Sequence, residues 1–399
     1  MALGDQRSPD GRFRAAERMF LLGALLLLGL VVLCGSLLLV RHEQQYVRLA
    51  ESFLSGKLHL LVELPEHLHD TAFYDGRYYW PLGPFPAVVL MPFVAICRWI
   101  GVEFFQAYAS VPLSLWTSWL IFRMASKCGR SKVESAWLVL AFCGASSYPS
   151  VAAISMSWPF AHVVAIHLLF LALHEWLGRR RWLFIGFVLG LTSATRLSAG
   201  LNIILFAAAA LMTEPPLRKK ASVALAMGFA LPMVLLASYN FARFDSFVET
   251  GYGFQLPGPG DFPSTSLANV LPHLRLFLFG APVLSDQFPF FITQLVGMSV
   301  FLLSPWLLYL ASLKFDRVTV VALLNCLIVL VAVLAWRSTG QFQLGYRFSL
   351  DFLPVVAFLI ARDGFGRAPM PLGFKSLAAL GFLSTLYFLW SLIGIMPRR

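Results

Sequence analysis

Long apolar runs, each close to the ~20 residues that cross a bilayer, alternate along this chain with short basic clusters and two long polar–aromatic stretches. The first run, Met19 to Val40, follows a tail bearing Arg7, Arg12, Arg14 and Arg18. It is too long for a signal-peptide core and has no clear small-residue cleavage site, so it reads as a retained signal-anchor. Cytoplasmic loops collect Lys and Arg, and that rule threads the remaining runs. Residues 1–18 form a basic cytoplasmic tail, and 41–100 an outer loop. Residues 102–122, 133–149 and 159–177 are expected to span. Residues 182–212 form two short helices that meet outside near Thr195-Arg196-Leu197. Further spans follow at 221–242, 291–313, 318–336, 348–361 and 376–395, with a second outer loop at 243–290. The pattern predicts about eleven spans, the N-terminus inside and the C-terminus outside.

Two segments depart from simple crossing. Tyr46, Leu49, Ala50, Phe53 and Leu54 follow helical spacing, so they predict an amphipathic helix on the membrane surface, ended by Gly56. Phe85 to Ile100 is apolar but short and broken by Pro86 and Pro92. A crossing there would put Arg123, Lys127, Arg130 and Lys132 on the outer side, so the segment reads as interfacial or re-entrant.

Composition agrees. Hydrophobic residues make up 58% and charged residues 13%, about half the charged share of a soluble domain. The fold class is therefore all-α: a polytopic helix bundle, with 19–399 as one transmembrane unit. The formal charge of +11 follows from basic cytoplasmic loops and does not call for nucleic acid. Cys34, Cys97, Cys128, Cys143 and Cys326 show no pairing or zinc spacing. No internal repeat stands out, which gives an inverted-repeat transporter little support.

The scarce carboxylates concentrate after the first span. Between Arg41 and Pro92 lie Glu43, Glu51, Glu63, Glu66, Asp70 and Asp75. The same stretch holds His42, His59, His67, His69, Arg77 and many aromatics. Asp75 before Gly76 has the character of a turn residue. Arg196 interrupts an apolar stretch, and an ionisable residue there is a functional candidate by default. Asp351 lies four positions past Arg347, where an ion pair between the two is the simplest account. Asn240 and Arg243 are expected to cap their span and touch headgroups.

Certain passages resemble a family. Asp70 is followed by Tyr74-Asp75-Gly76-Arg77-Tyr78-Tyr79 and by the Pro-rich Pro81 to Pro86. Late in the chain Gln343-Leu344-Gly345-Tyr346-Arg347-Phe348 enters a helix carrying Leu353-Pro354. With the long acidic outer loop, this looks like the GT-C superfamily of integral-membrane glycosyltransferases, which includes protein O-mannosyltransferases and lipid A aminoarabinose transferases. The resemblance implies transfer of a sugar from a polyprenyl-phosphate carrier to a glycan, lipid or protein acceptor. It also implies a site on the non-cytoplasmic face, with a bacterial inner membrane as the best-fitting location. Many relatives carry an acidic pair after the first span. Here His42-Glu43 stands there, and only Glu43 matches. The segment Ser155 to His162, where some relatives keep another Asp, has none.

The chemistry names the residue types. Attack of an acceptor hydroxyl on an anomeric carbon needs a base, and Asp70 and Glu43 are the candidates. A lipid-phosphate leaving group needs guanidinium partners. Arg77, Arg196, Arg243 and Arg347, with Tyr346 beside the last, are the candidates. Inversion needs one base, not a hydrolase's carboxylate pair. Tyr78, Tyr79 and Trp80 are candidates to line a sugar site. No cofactor is implied; a divalent metal stays open, with the alternating His67 and His69 as the one hint, but no metal site is indicated. Two other classes stay open: a transporter or flippase, which would place paired charges at mid-membrane, and a non-catalytic assembly subunit.

Overall fold

A computed structural model describes residues 9–38, 43–61, 70–154, 156–255, 265–366 and 368–395. The fold is all-α, with only two short antiparallel hairpins among the described residues. Among the described residues five helices are long and apolar enough to cross a membrane. They are Ala15–Leu38, Ser157–Trp176, Pro215–Phe244, Arg317–Leu334 and Leu372–Gly394. The most apolar window of Ser157–Trp176 is 83% buried, against 28% for Pro215–Phe244. The first is therefore the central post of the bundle, and the second faces outward along most of its length.

One end of the bundle gathers the basic clusters. Lys127 donates to the carbonyl of His174 at 2.7 Å, and Arg130 to that of Ala361 at 2.6 Å. Lys375 pairs with Glu17 at 2.7 Å, and Arg362 pairs with Asp316. Burial alone would raise Asp316, but the Arg362 guanidinium and the Thr319 N–H outweigh it and hold the carboxyl at about 2. The segments that charge places on one side thus meet physically. At the opposite end the backbone N–H of Gln106 reaches Gln44 Oε1 at 2.9 Å. There too Asn269 reaches the carbonyl of Ala335 at 3.2 Å, and Phe291 N–H reaches the Tyr387 hydroxyl at 3.1 Å.

The helix expected after the first span forms over Gln45–Leu54, with Tyr46, Leu49 and Ala50 buried in the protein. Gly56 at φ 69° ends it, in a left-handed conformation that glycine adopts at little cost. The helix Phe85–Trp99 lies against it. Phe85 N–H meets the carbonyl of Ala194, and the chain beyond the helix returns to Gln44 through Gln106. It leaves and rejoins the same end, which fits a helix that does not cross.

Other expectations change. The segment 243–290 is not all loop, because it contains the apolar helix Val270–Phe279. The expected span 291–313 is broken into a β-bridge pair, a short helix Val300–Leu303 and the 3₁₀ turn Pro305–Ser312. Pro305 supplies one reason, since it cannot donate to a continuing α-helix. The span 133–149 is interrupted by a π segment, Leu140–Gly144. Trp158 and His162 sit in the central helix Ser157–Trp176.

Candidate active site

Three outer segments are laced together above the central helix. The first is the hairpin Ala72–Tyr74 with Arg77–Tyr79, whose tip carries Asp75 at φ 46° and Gly76 at φ 71°. The second is the stretch around Tyr252–Phe254. Ala72 bridges to Gln255, and Tyr74 packs on Phe244 and Phe254 with ring centroids 5.6 and 4.6 Å apart. The third is the loop 336–347, joined through Arg337, whose Nη2 donates to Gln255 Oε1 at 2.6 Å. Gln255 Nε2 in turn donates to the Asp70 carbonyl and carboxylate at 3.2 and 3.4 Å. Neither Gln255 nor Arg337 carries a signal in the sequence, since an amide in a Gly/Pro-rich loop looks like any other.

Beneath this lacing lies a chamber of about 340 Å³, lined by Glu43, Asp70, Gln255, Arg337 and Arg347. Both candidate bases and one candidate phosphate partner therefore meet, although they are far apart in the chain. The backbone of Glu43 is fixed from two sides. Its carbonyl accepts from Gln106 Nε2 at 2.9 Å and Ser157 Oγ at 3.0 Å. Asp70 sits at φ 60°, a left-handed conformation uncommon for a non-glycine residue.

Arg347 is positioned by the loop before it. Gln343 Nε2 donates to the carbonyls of Val296 and Thr339 at 2.6 and 2.7 Å, while its Oε1 accepts from Arg347 N–H at 3.1 Å. Gly340 lies under the guanidinium, where an added Cβ would come within 2.9 Å of Nη2. Arg347 Nη1 donates to the carbonyl of Gln341 at 3.1 Å, and its buried Nε has no partner. Burial, reinforced by Arg196, pulls its pKa down to about 10, with Glu43 and Asp70 pulling the other way. It remains a cation at neutral pH.

A second chamber, of about 520 Å³, adjoins the first. Trp158, Tyr252, Trp336 and Phe348 line both. Its polar lining includes Arg196, Ser198, Asn240 and Arg243. Its apolar lining includes Leu197, Leu201, Leu236, Val248 and Val333. Both volumes fall in the range of small-ligand sites, roughly 300–1,000 Å³.

The remaining candidates resolve differently. Arg196 does not stand alone: it makes two bonds to Asp351, Nε to Oδ1 at 2.8 Å and Nη2 to Oδ2 at 2.9 Å. Ser198 Oγ adds a third bond to that carboxylate. The expected Arg347–Asp351 pair is therefore corrected. The segment Arg347–Asp351 is 3₁₀, and at three residues per turn positions four apart do not stack. Arg243 is buried and donates to the Trp80 carbonyl and Asn240 Oδ1 at 2.9 and 2.8 Å, so it braces the hairpin to its helix and is no headgroup contact. Tyr346 is fully buried against Phe277 and Phe348 and lines neither chamber. Arg77 lies exposed on the hairpin, also outside both chambers. Tyr78 and Tyr79 line neither, and Trp80 is fully buried. His42, Glu63, Glu66, His67 and His69 lie outside the described residues. Among the described residues, no three or more His, Cys, Asp or Glu side chains gather as a metal site would require.

The class defined here is an all-α protein of membrane type with a two-chambered site at the end opposite its basic clusters. No protein-family model matches the sequence, and no curated protein matches it. Among solved structures it is similar to the Archaeoglobus fulgidus oligosaccharyltransferase in the apo form, at 15% identity and a TM-score of 0.44. The alignment takes in 94% of this chain and 55% of that one, so the chain spans about half of that enzyme's length.

Proposed function

We propose that the protein is a membrane glycosyltransferase that moves a sugar from a polyprenyl-phosphate-linked donor to a glycan, lipid or protein acceptor. One observation carries the reading: Glu43, Asp70 and Arg347 converge in a single chamber beside a second, largely apolar one. The prenyl chain would lie along the apolar side of the larger chamber, and its phosphate would reach Arg347. Asp70 or Glu43 takes the proton of the acceptor hydroxyl. The oxygen then forms its bond to the anomeric carbon as the bond to the phosphate oxygen breaks on the opposite face. The electron pair leaves with the phosphate, where Arg347 meets the developing charge. The configuration inverts, and one base suffices.

Arg196 has no place on the phosphate in this scheme, because Asp351 already occupies its fork. By the charge rule the chambers face the non-cytoplasmic side, in keeping with a bacterial inner membrane.

The test uses the full chain in nanodiscs with a panel of polyprenyl-phosphate sugars and a membrane extract as acceptor source. Wild type is expected to release polyprenyl phosphate from at least one donor. Arg347→Ala should weaken donor binding and turnover together, and Arg347→Lys should restore them only in part, since Lys lacks the planar fork. Failure of every donor to bind or react with the wild-type protein would overturn the reading.

A further inference from the structure

At the basic end, far from the chambers, a cavity of about 680 Å³ opens between the turn at 178–182 and the connection at 211–221. Arg179, Arg180, Arg181 and Lys220 line it, with Glu214 as the one carboxylate. Several basic residues at this end are bound to the protein: Lys127 to a carbonyl, Arg130 to several, Lys375 to Glu17. Arg181 is likewise held by Glu175, at 2.9 and 3.0 Å. Arg179, Arg180 and Lys220 differ from these, as do the exposed Lys132, Arg218, Lys219 and Arg317 outside the cavity. Among the described residues none of the three has an ion pair or a side-chain hydrogen bond, and all are exposed.

The surroundings are shaped for an anion with apolar tails. Two helices, Trp182–Ser193 and Pro215–Phe244, both begin at the cavity, and neither has a side-chain cap. The first presents its uncapped N–H groups and positive dipole end there. The two are locked in backbone contact, because a Cβ at Gly186 would come within 2.1 Å of the Leu225 carbonyl and one at Gly228 within 2.0 Å of that of Leu183. Their relative placement is therefore rigid. On the rim Leu183, Met212 and Leu217 are 55%, 44% and 58% exposed, and Trp182 is half-buried in the wall, as residues at a headgroup boundary commonly are.

We propose that this cavity binds the phosphate headgroup of an anionic phospholipid, with the acyl chains against Leu183 and Leu217. The charge rule alone accounts for basic residues at this end. It does not account for Arg179, Arg180, Arg181 and Lys220 converging on one preformed cavity between two fixed helix starts. Basic pockets between membrane helices recognise anionic headgroups in this way.

Native mass spectrometry of the full chain with phosphatidylglycerol or phosphatidylcholine tests the proposal. The variant carrying Arg179→Gln, Arg180→Gln and Lys220→Gln should lose roughly a hundredfold in phosphatidylglycerol retention, at about fivefold per surface charge. A control carrying Arg123→Gln, Lys132→Gln and Arg317→Gln removes equal charge outside the cavity and should retain the lipid. Phosphatidylcholine should bind neither variant nor wild type comparably. Equal losses in the two triple variants, or equal retention of both lipids by wild type, would overturn the proposal. Complete displacement by inorganic phosphate at matched concentration would also overturn it, by making the free anion the ligand.

Discussion

The pocket of charge around Asp351 and the chamber around Arg347 share a wall, yet they are built on opposite lines. Asp351 is 1% exposed and fully engaged, with two bonds from Arg196 and one from Ser198. A few ångströms away Phe348 separates the guanidiniums, its ring centroid 5.5 Å from each. Arg347 on the far side has one carbonyl partner, an unpartnered Nε and no ion pair among the described residues. Burying a charge costs heavily unless it is paired. The Arg196–Asp351 pair offsets that cost by direct contact, whereas Arg347 has one carbonyl and the carboxylates of Glu43 and Asp70 acting on it across the chamber. The same residue type is thus fully paired on one side of a ring and, on the other, keeps the open donors that the proposed phosphate contact needs.

The comparison breaks most sharply if the two sites respond alike to mutation. Asp351→Ala leaves Arg196 buried without its carboxylate, and the expected loss is about 3–5 kcal/mol of stability. Thermal unfolding should register it whether or not donor is present. Arg347→Ala in the same assay should leave the ligand-free protein close to wild type and remove only the stabilisation that added donor confers. Equal destabilisation by both would erase the distinction.

The carboxylates sharpen it next. Asp70→Asn keeps the shape and loses the proton acceptor, so transfer should fall by roughly 10²–10⁴-fold while donor binding persists. Glu43→Gln competes for the same role. If Asp70→Asn leaves turnover intact and Glu43→Gln abolishes it, Glu43 is the base. If neither change alters turnover, the chamber is not where the chemistry occurs.

A smaller effect is expected at Gln255, which holds Asp70 and is itself held by Arg337. Gln255→Leu should lower kcat by about tenfold with little change in KM, since misplacing a group costs rate more than binding.

Much of this was legible in the sequence, for identifiable reasons. Gly56 ends the helix Gln45–Leu54 and Pro86 opens the helix Phe85–Trp99 by local backbone chemistry, whereas Pro92, expected to break the latter, lies inside it without interrupting it. The density of carboxylates after the first span marked Glu43 and Asp70, and the loop entering the late helix marked Arg347. What failed was long-range. Arg196 and Asp351 are 155 positions apart, and no local spacing connects them, so Asp351 was assigned to its neighbour in sequence. That assignment needed an α-helical turn, and the segment is 3₁₀. The helix Val270–Phe279 was hidden because Gly and Pro on its N-terminal side and the short apolar length beyond them read as loop. Arg77 and Tyr346 were chosen for their motif context, which carries no information on whether a side chain faces a cavity.

The most direct test of the central claim is the position of the lipid phosphate in a structure of the full chain with bound polyprenyl phosphate. Phosphate density is expected within hydrogen-bond reach of the Arg347 guanidinium, in the chamber shared with Glu43 and Asp70, while the Arg196–Asp351 pair stays closed. A phosphate seated on the exposed strand at Arg77, or one that opens Arg196 away from Asp351 and leaves Arg347 untouched, would contradict it.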